Sequence, residues 1–290
     1  MTIQEFEARS IIVKSNIPDA DYAVNPYIGC QFGCLYCYAT FMGRFVQEAR
    51  SNWGNYVYAK TNAVELARKQ LSSWSPKSRK ARILFSSVTD PYQGAEKRYR
   101  LTRGILQVLV DGQYPGLVSI LTKSPLVLRD IDLLGQLPHV EVGLTVTTTD
   151  DGLSRFLEVR APSASRRLST LSELVEREIP AFAFVGPLLP HFRYQPEWLD
   201  ALFGEIAGAG VTQVYVEHIN LPSYVRERLW KELRSEPEEV RAMYKGARTE
   251  EHRQALSQIV DGLVAKHVLQ IRLGGAMYHP QMQRSESATR

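Results

Sequence analysis

Apolar residues recur along this chain with two periods, and the two alternate. Short runs rich in β-branched and aromatic residues, at 82–86, 117–121, 140–146, 181–185 and 211–216, are each bounded by Gly, Pro or Asp and read as strands. Between them, residues 61–73, 102–111, 126–134, 166–178 and 197–207 carry apolar positions three and four apart and read as helices. Alternation of this kind implies βαβ units with right-handed crossovers and a parallel sheet. A further strand at 22–28 brings the count to six units. Six are too few to close an eight-fold barrel, so the expected fold is α/β, a partial (β/α)6 barrel of the TIM type.

From about residue 221 the texture changes. Residues 222–235 and 249–267 read as helices, and 231–239 carries many charges of both signs. The expected organisation is a barrel over residues 1–220 with a C-terminal helical cap over 221–290. Residues 269–273, followed by Gly274-Gly275, read as an edge strand or a turn, and the polar tail 281–290 as a frayed end. With 44% apolar residues in 290, the chain has ample material for a core. No apolar run reaches the roughly 18 residues a membrane span needs. The N-terminus has early acids and no apolar stretch of signal-peptide type, which, with free thiols, points to the cytoplasm.

Three cysteines fall within one eight-residue stretch, Cys30-Gln-Phe-Gly-Cys34-Leu-Tyr-Cys37, and no other position holds one. Packing does not account for such clustering, although free Cys is often buried. The odd count and short spacings argue against a secreted disulfide framework. Zinc accepts Cys3His sites, but these come as C-x2-C pairs with a fourth ligand at recognisable spacing, and the nearest His in sequence is His139. Three thiolates spaced four and three apart can wrap one iron-sulfur cube and leave its fourth iron without a protein ligand. An iron with an open position can bind and activate a small molecule.

The spacing Cys-x3-Cys-x2-Cys, followed directly by Tyr38, resembles the signature of the radical S-adenosylmethionine (SAM) enzymes. The longer context, Asn25-Pro-Tyr-Ile-Gly-Cys30 through Tyr38-Ala-Thr, is similar to the spore photoproduct lyase-like branch, whose members are often labelled DNA repair photolyases. Three blocks agree with that branch in order and spacing: Ser86-Ser-Val-Thr-Asp-Pro-Tyr92; Leu121-Thr-Lys-Ser124 with Leu128-Arg-Asp-Ile-Asp-Leu-Leu134; and Leu157-Glu-Val-Arg-Ala-Pro-Ser163 with Arg166-Arg-Leu168. The resemblance implies a [4Fe-4S] cluster on Cys30, Cys34 and Cys37, SAM chelated at the open iron, and an external electron donor such as flavodoxin or ferredoxin. It also implies that Asp90, preceded by Thr89, holds the SAM ammonium and that Lys123 pairs with the SAM carboxylate. Thr147 and Thr148 are then ribose contacts and Tyr38 part of the adenine pocket. Glu158 and Arg160, with Arg167 nearby, are either ligand contacts or an ion-pair network that buttresses the site.

Each of these residues also has an ordinary reading. An Asp before Pro initiates turns, a Lys after a strand is commonly solvated, and Thr suits a strand. Their common placement at the C-terminal ends of predicted strands, where ligands of such sheets bind, favours the functional reading.

The substrate is a separate question. Spore photoproduct lyase returns a hydrogen atom from an additional Cys near the end of strand two. This chain reads Ser86-Ser87-Val88-Thr89 there, with Tyr92 and Tyr99 as nearby phenols. Net charge is a mild +4, although residues 77–103 hold eight cations against Asp90 and Glu96, and Trp53-Gly-Asn-Tyr56-Val-Tyr58 reads as an aromatic loop that stacks on bases or covers a cluster. The expected protein is a radical SAM enzyme that makes a 5′-deoxyadenosyl radical and acts on a small-molecule or biosynthetic substrate rather than DNA. The alternatives are a nucleic-acid lesion enzyme, aminocarboxypropyl radical chemistry, and a non-catalytic iron-sulfur sensor.

Overall fold

The structure, a computed structural model, describes residues 1–279; the predicted frayed tail at 281–290 lies outside them. In chain order the strands are β1 (Thr2–Phe6), β2 (Ile12–Lys14), β3 (Tyr22–Val24), β4 (Tyr27–Ile28), β5 (Tyr56–Lys60), β6 (Ile83–Phe85), β7 (Val118–Thr122), β8 (Val140–Thr145), β9 (Ala181–Leu188), β10 (Gln213–His218) and β11 (Gln270–Ile271). The helices are α1 (Ala63–Ser72), α2 (Glu96–Tyr99), α3 (Leu101–Asp111), α4 (Ile131–Leu134), α5 (Asp151–Glu158), α6 (Ala164–Glu176), α7 (Pro196–Gly208), α8 (Ser223–Leu233), α9 (Glu238–Gly246) and α10 (Glu250–Lys266).

The main sheet runs β11-β10-β9-β8-β7-β6-β3-β2. Its neighbours from β3 to β11 pair in parallel, and β2 is an antiparallel edge. Strands β3, β6, β7, β8, β9 and β10 are the six expected strands of a partial barrel, and β11 adds one more at the edge. Their side chains alternate by face. Ile83 and Phe85, Val118 and Ile120, Val142 and Leu144, Ala183 and Val185, and Val214 and Val216 enter the core under the helices. The opposite parity, Leu84, Ser119, Leu121, Glu141, Phe182, Phe184, Tyr215 and Glu217, lines an internal cavity. Helix starts are fixed locally: Asp150 accepts from the amides of Gly152 and Leu153, Ser163 from Arg166, and Thr249 from His252.

Four details depart from the sequence reading. The strand expected at 22–28 is two strands in different sheets, because Pro26 between them has no N–H to continue a ladder. Residues 53–58 are not a loop throughout: Tyr56 opens β5, the middle of a small sheet ordered β1-β5-β4. The helix expected at 126–134 begins as a 3-10 turn over Pro125–Asp130, capped by Ser124, before the single turn of α4. Strands β1 and β2 and helices α2, α5 and α9 have no counterpart in the sequence reading. In the C-terminal region, α8 buries Val225, Leu229 and Leu233, and α10 packs along α7 and buries Leu256, Val260 and Val264. Among the described residues, no helix is long and apolar enough to cross a membrane.

Candidate functional site

The cysteine loop leaves β4 at the C-terminal end of the barrel. Cys30 and Cys34 are buried and Cys37 half-buried, and all three line a cavity of about 470 Å³. Gly29 has φ +86°, and a Cβ there would stand 2.5 Å from the Tyr56 carbonyl oxygen, so only glycine admits the turn into the loop. Gly54, at φ +96°, lets a second loop approach to within 2.9 Å of the Gly33 Cα by the same measure. Two glutamines lock the loop to the segment after Asp90. The Gln31 amide donates to Gln93 Oε1 at 2.8 Å, the Gln31 Oε1 accepts from the Ala95 amide, and Gln93 Nε2 donates to the Gly29 carbonyl at 3.2 Å. Arg160 Nη1 donates to the Gln31 and Gly54 carbonyls, and Arg228 of α8 donates to the Gly33 carbonyl. Trp53 and Tyr56 are buried and pack on Cys30, Cys34 and Phe32, so these two aromatics cover the loop, and Trp53 also lines the cavity.

Burial pushes all three thiols up, Cys34 to about 12, with Asp90 adding to the effect at Cys30. Thiolates here therefore need a positive partner inside the cavity. Among the described residues, no group of His, Cys, Asp and Glu is arranged to hold a single metal ion.

Asp90 follows β6 and lines the cavity, yet its carboxylate is already engaged. Oδ1 accepts from Thr122 Oγ1 at 2.7 Å and the Tyr92 amide at 2.9 Å, and Oδ2 from the Lys123 amide at 2.8 Å. Burial still raises its pKa against these bonds. Asp90 thus ties the end of β6 to the end of β7. Thr89 donates to the Gly29 carbonyl at 2.5 Å, and Tyr38 donates to the Ser87 carbonyl; both line the cavity. Lys123 also lines it, with Nζ 3.7 Å from Glu158 Oε1 and 5.8 Å from the Tyr36 ring centre.

Glu158 and Arg167 lie behind this wall, outside the cavity lining. Tyr36 and Arg167 donate to opposite oxygens of Glu158, and Ser154 Oγ adds a bond at 3.0 Å. Arg167, with no exposed surface, also donates to the carbonyls of Pro162 and Thr145, each at 2.9 Å. Burial opposes ionisation of Glu158, but Arg167 and Lys123 outweigh it and hold the carboxyl below its usual value. Glu158 thus pairs with Arg167 and not with Arg160, whose guanidinium goes to the Gln31 and Gly54 carbonyls and to Asn55 Oδ1. Thr147 and Thr148 are also buried and outside the lining, and Thr148 Oγ1 accepts from the Asp150 amide at 3.1 Å. Tyr92 and Tyr99 are absent from the lining as well, whereas Tyr36 and Tyr38 belong to it.

The far wall contains a group the sequence reading missed. Glu217 of β10 faces the cavity, its Oε1 3.1 Å from Asn220 Nδ2 and 3.5 Å from His279 Nε2. Burial pushes its pKa up to about 7, opposed by Lys123. Its signal lay in the alternation: in Val214-Tyr215-Val216-Glu217, the charged residue takes the inward parity of Tyr215. Gln31, Gln93 and Arg228 carried no comparable signal, since their partners are distant in sequence.

Residues 24–201 match the family model of the radical SAM superfamily. This chain belongs to that superfamily. Radical SAM enzymes carry a [4Fe-4S] cluster, use SAM and draw on an electron donor, so the chain is an enzyme of this class. It is 39% identical over 188 residues to an uncharacterized protein of Methanocaldococcus jannaschii, a match spanning 65% of this chain and 68% of that one. It is 32% identical over 209 residues to an uncharacterized protein of Mycobacterium tuberculosis, spanning 71% of this chain and only 60% of the mycobacterial one. Its fold is similar to that of a spore photoproduct lyase variant solved with AdoMet and dinucleoside spore photoproduct, with TM-score 0.66, 15% identity, and coverage of 94% of this chain and 81% of the other. For a radical SAM enzyme the donor set fits: the three thiols share one cavity.

Proposed function

We propose that this chain holds its [4Fe-4S] cluster through Cys30, Cys34 and Cys37 and cleaves SAM reductively, acting on a small-molecule or biosynthetic substrate. The observation that carries the reading is the single cavity shared by the three thiols, the Thr89-Asp90 turn and Lys123 at the C-terminal strand ends. When bound, the cluster supplies an iron with an open position for the methionyl end of SAM and the electron that breaks its S–C5′ bond, giving a 5′-deoxyadenosyl radical.

The chain's own residues then bind, orient and exclude water. Lys123 is a point charge for the SAM carboxylate, and its Glu158 contact, at 3.7 Å, is loose enough to be exchanged. Asp90 turns a remaining lone pair to the ammonium while keeping the β6 and β7 ends together. Tyr38 lines the cavity beside the cysteine loop, where the adenine is expected. Glu158 and Arg167 position Lys123 and Tyr36 without touching a ligand. The substrate sits against the opposite wall, between Glu217 and the rings of Phe184 and Tyr215.

A small substrate is favoured over duplex DNA by the dispersal of the basic run at 77–103. Lys77, Arg79 and Lys80 precede β6, at the opposite end of the barrel from the cysteines, while Arg82 pairs with Asp19 and Arg103 with Asp130 and Asp132. The test is anaerobic reduction by dithionite of the iron-loaded protein with SAM, followed by chromatography. Release of 5′-deoxyadenosine is expected. Methylthioadenosine in its place would indicate aminocarboxypropyl chemistry, and neither product would overturn the reading.

A further inference from the structure

Helices α8 and α9 enclose an external groove of about 630 Å³ that shares no residue with the internal cavity. Arg226, Lys231, Arg234, Lys245 and Arg248 line it, with Glu227 as the one acid and Trp230 as the one aromatic. Among the described residues, none of these five cations is in an ion pair, although Arg82, Arg103, Arg129 and Arg272 elsewhere all have carboxylate partners. Like charges gathered in this way repel one another and add nothing to the stability of the fold, whereas they attract an acidic partner and speed its encounter. The groove also has a particular neighbour. The helix that forms its wall, α8, sends Arg228 to the Gly33 carbonyl between Cys30 and Cys34, and Tyr224 to the Tyr38 carbonyl just after Cys37.

We propose that this groove is the docking surface for the protein that reduces the enzyme, an acidic one-electron carrier of the flavin or iron-sulfur type. The proposal rests on the function proposed above, because it gives the electron a destination. A carrier seated there stands about one helix diameter, roughly 10 Å, from the cysteine loop. One electron leaves the carrier for each SAM cleaved. A nucleic-acid substrate would be held by the same charges, but in this groove it would lie outside the cavity that the thiols line. The observations therefore favour the carrier.

The experiment compares the iron-loaded wild type with the triple variant K231E/R234E/K245E, whose three positions are exposed, and with a control variant, K77E/R79E/K80E, of equal charge change. Two readouts are taken: binding of flavodoxin by calorimetry at low and high salt, and 5′-deoxyadenosine release with either reduced flavodoxin or dithionite. The groove variant should bind flavodoxin at least tenfold more weakly at low salt, with a flatter salt dependence. It should lose at least tenfold in the flavodoxin-driven rate and keep the dithionite-driven rate, and the control should match the wild type in all four measurements. Unchanged binding in the groove variant, or an equal loss in the control, overturns the proposal. Loss of duplex DNA binding in the groove variant with flavodoxin binding intact overturns it in favour of nucleic acid. Wild type that binds flavodoxin yet releases no deoxyadenosine with dithionite would contradict the proposed function and leave the docking surface standing.

Discussion

On the β6 to β8 side of the cavity, the buried charges are satisfied by the protein itself. Asp90 accepts three hydrogen bonds, and Glu158 accepts from Tyr36, Ser154 and Arg167. On the β10 side, Glu217 has one hydrogen bond from Asn220 and a longer contact with His279, and burial moves its carboxyl to about 7. Buried charge of the first kind is a frame, whose members cannot leave without stranding a partner. Charge of the second kind is a cost in the free protein that something entering the cavity can relieve. The same carboxylate chemistry is thus satisfied by the protein on one side of the cavity and only partly satisfied on the other.

The largest effect expected from this contrast is in the frame. Glu158→Ala strands Arg167, whose side chain has no exposed surface, and should cost about 3–5 kcal/mol in urea unfolding. The double variant E158A/R167M should recover much of that loss. Equal losses in the single and double variants would show that the pair matters only through packing.

The opposite sign is expected across the cavity. A carboxyl whose pKa is about 7 folded and 4.5 unfolded binds protons more readily in the native state, so it loses stability as pH rises through that window. Glu217→Gln should therefore be more stable than wild type to urea at pH 8, by an amount on the order of 2–3 kcal/mol, and the difference should vanish near pH 4. A variant that is less stable at pH 8 would show that Glu217 belongs to the frame after all.

A smaller effect separates the cavity lining from what lies behind it. Lys123→Met should weaken SAM binding to the iron-loaded protein by about 1.5–3 kcal/mol, the range for a charge-assisted contact. Thr148→Ala should leave SAM affinity unchanged while costing about 1 kcal/mol of stability through the lost Asp150 bond. Isothermal titration distinguishes the two, and a reversed order would move the SAM site toward the end of β8.

Much of the frame was legible in the sequence because its information is local. Strands such as Val118–Thr122 and Val140–Thr145 announce themselves by β-branched residues, and helices such as Ala164–Glu176 by apolar spacing. The cysteine loop carries its own spacing. What was not legible depends on partners remote in the chain. The β1-β5-β4 sheet joins residues about fifty apart (β1 with β5) and about thirty apart (β4 with β5), and Tyr56–Lys60 lacks a long apolar run to betray it. Likewise, the bonds that engage Asp90 carry no local signal, because Thr122 and the Lys123 amide arrive from the next strand. Thr147 and Thr148 follow β8 as expected, but their direction depends on how the chain turns into α5.

The central claim is that Cys30, Cys34 and Cys37 together hold one iron-sulfur cube, and metal and sulfide analysis tests it most directly. Anaerobically reconstituted wild type should contain about four iron and four sulfide per chain, and Cys34→Ala should contain neither in stoichiometric amount. A wild-type preparation that binds one zinc per chain and no sulfide would contradict the account.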